Sequence, residues 1–419
     1  MSSKSVTIDV VELPANIEEG ATYSIKQANP NSFTHGMFKY PCKFIPEVPR
    51  WAIRSYMKGR GFVLDPFAGS GTTALETVLN GNDAYNLEID DIAKLITKVK
   101  TTQLDEDSIK EIEKSYKHIK KNLTKDIMGI RPGISNLEHW FSVEAIRDLS
   151  IIKRSIDEMN DDLIRDFFYV CFVSIIKKVS FADDASPKPY VSNKIKKTPP
   201  PVEKEFSSTY TRYLKMLREM LEVKDIGKSV FVDGDAINFS LNKKMDLAIT
   251  SPPYINAFDY GRTMRLENIW MGCLTEDELR RKKKEYIGTE KISIEKEKKD
   301  VSILERSALL DGYYGQIISS DEKRALIVKR FFEDMEQNLI KVRGCLKPKG
   351  KYMIVIGNSV IRSTLIESWK VIEELSRNVG FETETFFDYE IKNPYIRIPR
   401  QGRGGIISRD HIIVLRRKG

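Results

Sequence analysis

The chain predicts an α/β fold built on a doubly wound, mostly parallel sheet, and three features predict it. Gly61-Phe-Val-Leu-Asp65 reads as a short buried strand that runs through a glycine-rich turn into a helix ending near Asn80. A second apolar strand, Met245-Asp-Leu-Ala-Ile249, stops at Thr250-Ser-Pro-Pro-Tyr254. Three further strand candidates, Lys351–Gly357, Phe381–Ile391 and His411–Leu415, alternate with helical text toward the C-terminus. Strands alternating with helices in this order form an open sheet whose ligands sit at the carboxyl ends of the strands.

Residues 1–30 read as a polar N-terminal arm with one short strand, Ser5–Val11. In residues 31–100 the loop Pro66-Phe-Ala-Gly-Ser-Gly-Thr-Thr73 carries Gly69 and Gly71, which let the backbone turn sharply and approach a ligand. A second strand, Asp83-Ala-Tyr-Asn-Leu-Glu88-Ile89-Asp90, ends in acid. Glu88 lies near the roughly 20-residue offset at which a carboxylate reaches ribose hydroxyls. No Gly-Lys-Ser/Thr follows the loop, so it is not a phosphate-binding P-loop. Gly69, Gly71 and Ala74 also satisfy the loose dinucleotide pattern, which leaves a nicotinamide or flavin enzyme open on the loop alone. Asp65 favours a cationic or amine group over a diphosphate.

From 101 to 228 the text is helical and highly charged, with apolar spacing at Ile109, Ile112, Tyr116 and Ile119 and a buried run, Phe167–Ile176. An irregular basic stretch, Ser180–Pro200, follows it, and the sheet resumes at Lys228–Asp233. Arg280–Asp300 is a mixed-sign charge run that reads as a solvated face, within a wider charged insertion or lid at 275–325.

The Ser251-Pro-Pro-Tyr254 corner is the main carrier of chemistry. Two prolines remove two donors and stiffen an extended turn. A hydroxyl at Ser251, the Pro252 carbonyl and the flat Tyr254 can then hold a planar base with an exocyclic amine. A proline turn closing a strand is the plainer reading of these residues taken alone.

Together, Asp65–Gly71 and Thr250–Tyr254 resemble the amino-methyltransferases of DNA, in their cytosine-N4 branch. Thr34-His-Gly-Met-Phe-Lys-Tyr-Pro-Cys-Lys43-Phe44-Ile-Pro46-Glu-Val-Pro49 is similar to the family's His…Lys-Phe-x-Pro flap over the methionine end of the cofactor. Asn256–Arg262, Leu346–Ser359 and Ser408–Leu415 match later segments. The resemblance covers 31–100 and 229–419, the expected catalytic domain. It leaves 101–228 as a helical insert and candidate DNA-recognition module.

This resemblance implies a Rossmann-like methyltransferase sheet closed by an antiparallel hairpin. It implies S-adenosylmethionine as cofactor and methyl transfer to the N4 amine of a cytosine flipped from duplex DNA, in a restriction-modification or related defence system. Ser251, Pro252, Pro253 and Tyr254 would be catalytic. Lys43, Phe44, Asp65, Pro66, Phe67, Ala68, Gly69, Gly71, Thr72, Thr73, Glu88, Ile89, Asp235 and Ala236 would border the cofactor. Glu88 is expected to accept from the ribose and Asp235 from the adenine amine, although Asp235 also suits a turn cap. Lys43 and Phe44 equally suit a surface lysine and a core phenylalanine. An adenine-N6 enzyme shares every motif; an RNA amino-methyltransferase and a catalytically silent DNA-binding relative are further alternatives.

Composition agrees with a polyanionic partner. The 419 residues carry 68 Lys and Arg against 60 Asp and Glu, a net charge of +8, with a pI near 9.0. Lys188, Lys194, Lys196, Lys197, Arg262, Arg397, Arg400 and Arg403 are candidates for double-stranded DNA, with Arg409 beside the last group. Four unpaired cysteines and four scattered histidines suggest neither a disulfide framework nor a metal site. No signal peptide or long apolar run appears, so a cytoplasmic protein away from membranes is expected, with a cognate restriction endonuclease as a candidate partner. Pro41-Cys42 and Glu267-Asn268-Ile269 mimic motifs of the thiolate-using cytosine-C5 enzymes. Here the cysteine precedes the glycine loop, and Asn268 falls on a helix-like stretch ending at Met271.

Overall fold

The computed structural model describes residues 7–27, 29–41, 43–133, 136–194, 196–255, 260–392 and 408–419. Nine strands form the central sheet: β1 (Thr7–Val10), β2 (Thr22–Ile25), β3 (Phe62–Asp65), β4 (Asp83–Asn86), β5 (Ser229–Phe231), β6 (Met245–Thr250), β7 (Leu346–Gly357), β8 (Phe381–Glu390) and β9 (Arg409–Arg417). Their spatial order is β1-β2-β8-β9-β7-β6-β3-β4-β5. Every pairing is parallel except the two made by β9. The order reverses between β3 and β6, the switch point at which a doubly wound sheet opens a ligand crevice.

Alternation of side chains along each strand builds two cores at once. Leu64, Ala248, Ile354, Ile356, Ile413 and Leu415 point to one face, under helices α11 (Glu322–Cys345) and α12 (Ser368–Asn378). Val63, Leu247, Ile249, Met353, Val355, Ile412 and Val414 point to the other, under α1 (Glu47–Tyr56). Burial on both faces is why these strands read as continuous apolar runs.

The antiparallel closing pair is present, but it does not end the sheet. β9 is wedged between β8 and β7, and β2 and β1 add two parallel strands outside β8. The N-terminal segment thus supplies two strands where one was expected, with Tyr23 buried against Phe387. Its second strand, Thr-Tyr-Ser-Ile, is too short and too polar to stand out in the sequence.

Helices α2 (Thr72–Leu79) and α3 (Asp91–Thr101) follow β3 and β4. Helices α4 (Glu106–Leu123), α5 (Val143–Asp157), α6 (Asp162–Ile176) and α7 (Val202–Leu221) then intervene before β5. Ile92, Ala93, Ile96 and Val99 of α3 share one core with Phe167, Phe168, Phe172 and Tyr213 of this insert. Trp270 of α8 (Arg265–Met271) enters the same core, edge-on to Phe141 and Phe172. The insert is therefore packed into the central sheet's own helical layer. Among the described residues no helix is long and apolar enough to cross a membrane.

Phe172 is fully buried where these elements meet. Phe172→Ala should cost about 3–5 kcal/mol. A single lowered transition in denaturant is expected. A separate, earlier phase would instead show the insert unfolding alone.

Candidate active site

The site is assembled by the ends of β3, β4 and β6. Leu87 N–H donates to the Asp65 carbonyl at 2.9 Å and Ala68 N–H to the Leu87 carbonyl at 3.0 Å, so the chain beyond β4 passes under the glycine loop. Gly69 and Gly71 adopt φ of 50° and 78°. A Cβ at Gly71 would lie 2.7 Å from the Thr97 side chain, so glycine is required there. Gly71 caps α2, whose first residues Thr72 and Thr73 are buried.

These loops enclose a cleft of roughly 920 Å³, including its solvent-open mouth. Lys43, Phe44, Pro66, Phe67, Ala68, Gly69, Thr72, Glu88, Ile89, Asp235 and Ala236 line it, eleven of the fourteen expected cofactor residues. Ser251 and Pro253 line the same cleft. Both motifs therefore face one space.

Three expected cofactor residues, Asp65, Gly71 and Thr73, stand behind the wall. Asp65 is buried, and its Oδ1 accepts from Thr250 Oγ1 at 2.6 Å and from the Phe67 N–H at 3.0 Å. Burial pushes its pKa up to about 6, against the pull of the Thr250 and Thr73 hydroxyls. It thus clasps the glycine loop to the Pro-Pro corner from behind the cleft lining. Pro252 and Tyr254 also lie off the cleft lining; the Tyr254 hydroxyl donates to Asp410 Oδ1 at 2.5 Å.

Glu88 is held from three sides. Its Oε2 accepts from Gly69 N–H at 2.8 Å, and its Oε1 from the Ile89 and Asp90 N–H groups, each at 2.8 Å. Burial, and next the nearby Asp90 carboxylate, raise its pKa to about 7. Asp235 Oδ1 accepts from Ile237 and Asn238 N–H at 2.9 and 2.8 Å, so the residue does cap a turn. It also faces the cleft, and Asn338 Nδ2 donating to the Ala236 carbonyl at 2.7 Å anchors that turn to α11.

Behind the flap lies a buried polar network. His35 donates from Nε2 to Glu76 Oε1 at 2.8 Å, and Arg50 holds Glu76 through Nε at 2.9 Å and Nη2 at 2.6 Å. Burial outweighs Glu76 and depresses the His35 pKa to about 4, so the ring is neutral at pH 7. Lys43 Nζ donates to the His35 carbonyl at 2.8 Å, and burial lowers its pKa. Lys100, also buried, donates to the Ser70 carbonyl at 2.9 Å, and Thr97 Oγ1 to the Gly69 carbonyl at 3.0 Å. The loop's carbonyls are thereby engaged from behind, while Ser70, which lines the cleft, keeps a buried Oγ without a protein partner.

Tyr40, Pro41, Ser70, Glu285, Tyr286 and Ile287 line the cleft without having been expected there. The last three belong to the charge run read as a solvated face. That reading fails locally: Tyr286 Oη donates to Asp90 Oδ2 at 3.3 Å, and Lys282 Nζ, ending α9 (Glu276–Lys282), to Asp91 Oδ2 at 3.3 Å. Only the Tyr-Ile pair inside the Lys/Glu run hinted at an inward-facing edge.

Of the DNA candidates, Lys188, Lys194, Lys196 and Arg262 are exposed. Lys197 is not available: its Nζ donates to the Lys177 and Ala182 carbonyls, both at 3.1 Å, and to Asp184 at 2.8 Å, closing the irregular segment on itself. Arg397, Arg400 and Arg403 lie outside the described residues, as do Cys42 and Asn256–Asp259.

Residues 9–126 match the family model described as DNA methylase. That match and the relatives it points to support a DNA amino-methyltransferase family. It is 25% identical over 399 residues to the Type II methyltransferase M.MvaI of Kocuria varians, covering 88% of this chain and 86% of that protein. It is 26% identical over 290 residues to M.BsoBI of Geobacillus stearothermophilus, covering 61% and 57%. A solved TehB-like methyltransferase from Corynebacterium glutamicum aligns over 88% of this chain and 87% of that chain, at 10% identity and a TM-score of 0.29.

Glu88 makes the unliganded methyltransferase pH-sensitive in a definite direction. Its folded pKa of about 7 lies above the ordinary value of 4.5. Between those values the folded chain binds a proton that the unfolded chain does not, so this group adds stability as pH falls. Melting temperatures of the wild type minus those of Glu88→Gln should rise as pH drops from about 8 to about 5. A constant difference would exclude the shift.

Proposed function

We propose that this methyltransferase moves a methyl group from S-adenosylmethionine to the exocyclic N4 amine of a cytosine flipped out of duplex DNA. One observation carries the reading: Ser251 and Pro253 line the same cleft as the glycine loop, Glu88 and Asp235, with Thr250 bonded to Asp65 between the two motifs.

The donor set of the cleft fits this cofactor. Glu88 offers a carboxylate for ribose hydroxyls, and Asp235 one for an adenine amine. Phe44, Phe67, Ile237 and Tyr286 supply apolar surface around a flat ring system. Lys43 and the start of α2 at Thr72 suit a carboxylate. S-adenosylmethionine supplies, when bound, a methyl group on a sulfonium that is open to direct displacement.

The chain's own residues prepare the acceptor. An aromatic exocyclic amine is a poor nucleophile because its lone pair is delocalised into the ring. Hydrogen bonds from that amine to Ser251 Oγ and the Pro252 carbonyl localise the pair on nitrogen. The remaining task is orientation and electrostatics. Tyr254 stacks on the extruded base and offsets part of the few kcal/mol that unstacking costs. An uncharged serine at the first place of the corner favours cytosine-N4 over adenine-N6 acceptors. The Type II names of the relatives favour a restriction-modification setting with a cognate endonuclease.

Nucleoside mass spectrometry of DNA from cells expressing the protein tests the acceptor. N4-methylcytosine is expected; N6-methyladenine would place the enzyme in the other branch. No methylated base, together with no heat of S-adenosylmethionine binding, would leave a DNA-binding relative. Tyr254→Ala should lower methyl transfer about ten- to a hundredfold with cofactor affinity kept, since base stacking is worth about 1–3 kcal/mol. Affinity for S-adenosylmethionine should weaken as pH falls below about 7, where Glu88 takes up its proton. DNA affinity should fall steeply with salt, and a flat response would remove Lys188, Lys194 and Lys196 from the interface.

A further inference from the structure

We infer that Asp410 is a positioning residue for methyl transfer: it holds the hydroxyl end of the Tyr254 ring and so places the surface on which the extruded base stacks. The inference rests on the proposed function for its consequence, and on geometry for its mechanism.

Asp410 is a carboxylate with 5% exposure, on the antiparallel strand β9. It uses both oxygens on tyrosines. Oδ1 accepts from the Tyr254 hydroxyl at 2.5 Å, and Oδ2 from the Tyr389 hydroxyl at 2.6 Å. Tyr389 is its direct partner across the β8–β9 ladder, so that half of the arrangement is local. Tyr254 is not local. It lies four residues beyond β6, and β7 runs between β6 and β9. The residue of β7 opposite Asp410 is Gly357, which places no side chain in the path.

A buried carboxylate is costly unless its oxygens are satisfied, and two phenol donors satisfy this one. The same cost makes the tether stiff, because releasing Tyr254 would leave Oδ1 buried without a donor. Burial holds the Asp410 pKa above the ordinary carboxylate value, while the two phenols and then His411 pull it down. The Tyr254 ring is thus pinned at its far end by Asp410 and at its near end by the rigid Pro252-Pro253 backbone. Such a ring loses little further freedom when a base arrives. β9, the one strand that breaks the parallel pattern, thereby acts on the catalytic corner.

Methyl transfer from tritiated S-adenosylmethionine to unmethylated plasmid DNA tests this on the full chain. Tyr254→Phe and Asp410→Ala should each lower kcat about tenfold or more, as loss of a hydrogen bond to a charged group does. The KM for S-adenosylmethionine should stay within about twofold, and the double variant should be no slower than the worse single, since both remove one interaction. Tyr389→Phe should lower the melting temperature and leave kcat in place. Asp410→Asn, which keeps one acceptor, should recover part of the rate and serves where the alanine variant does not fold. Wild-type kcat in Asp410→Ala or Asp410→Asn, or losses that multiply in the double variant, would overturn the inference.

Should the wild type methylate no DNA, the functional reading fails by itself. The tether is then read from ¹³Cζ-tyrosine spectra, where the Tyr254 signal, assigned with Tyr254→Phe, should move toward the value of a free phenol in Asp410→Ala and part of the way in Asp410→Asn. Unchanged signals would overturn it.

Discussion

The bond from Thr250 Oγ1 to Asp65 Oδ1, 2.6 Å long and buried, is the contact on which the site depends. It joins the ends of the two strands at the sheet's switch point, where β3 and β6 pair in parallel through Val63–Leu247 and Leu64–Ala248. Each strand then turns away into a different motif. Without a link at their ends, the glycine loop and the Pro-Pro corner would be two independent turns. Burial raises the Asp65 pKa to about 6, because making that link withdraws the carboxylate from water.

Around this clasp, support comes from the side facing away from the ligand. Lys100 and Thr97 take the carbonyls of Ser70 and Gly69. His35, Glu76 and Arg50 fix the flap to α2. The proposed methyl transfer forms no covalent intermediate and works by placing two reactants, so rigidity behind the cleft would translate into rate. The helical insert takes part in this, because its aromatic residues complete the core of α3, which carries Thr97 and Lys100.

The face of the cleft is finished by distant chain. Glu285, Tyr286 and Ile287 come from a segment about two hundred residues beyond Glu88, and they are held there by Asp90 and Asp91. Asp410 comes from the last strand. Neither contribution has a local signal, since a tyrosine in a Lys/Glu run and an aspartate starting a strand look ordinary.

The sequence by itself determined the local motifs. Glycine at 69 and 71, two prolines at 252 and 253, and apolar strands of four to six residues carry their backbone conformation in their own chemistry. That is why the sheet, the loop and eleven of the cleft-lining residues were legible in the sequence. Only the tertiary structure decided that Asp65 binds Thr250 behind the cleft lining, that Lys197 closes its own loop, and that β1 and β2 extend the sheet. The direction of a buried polar side chain is set by which donors surround it. Those donors come from strands and loops that sequence order does not bring together.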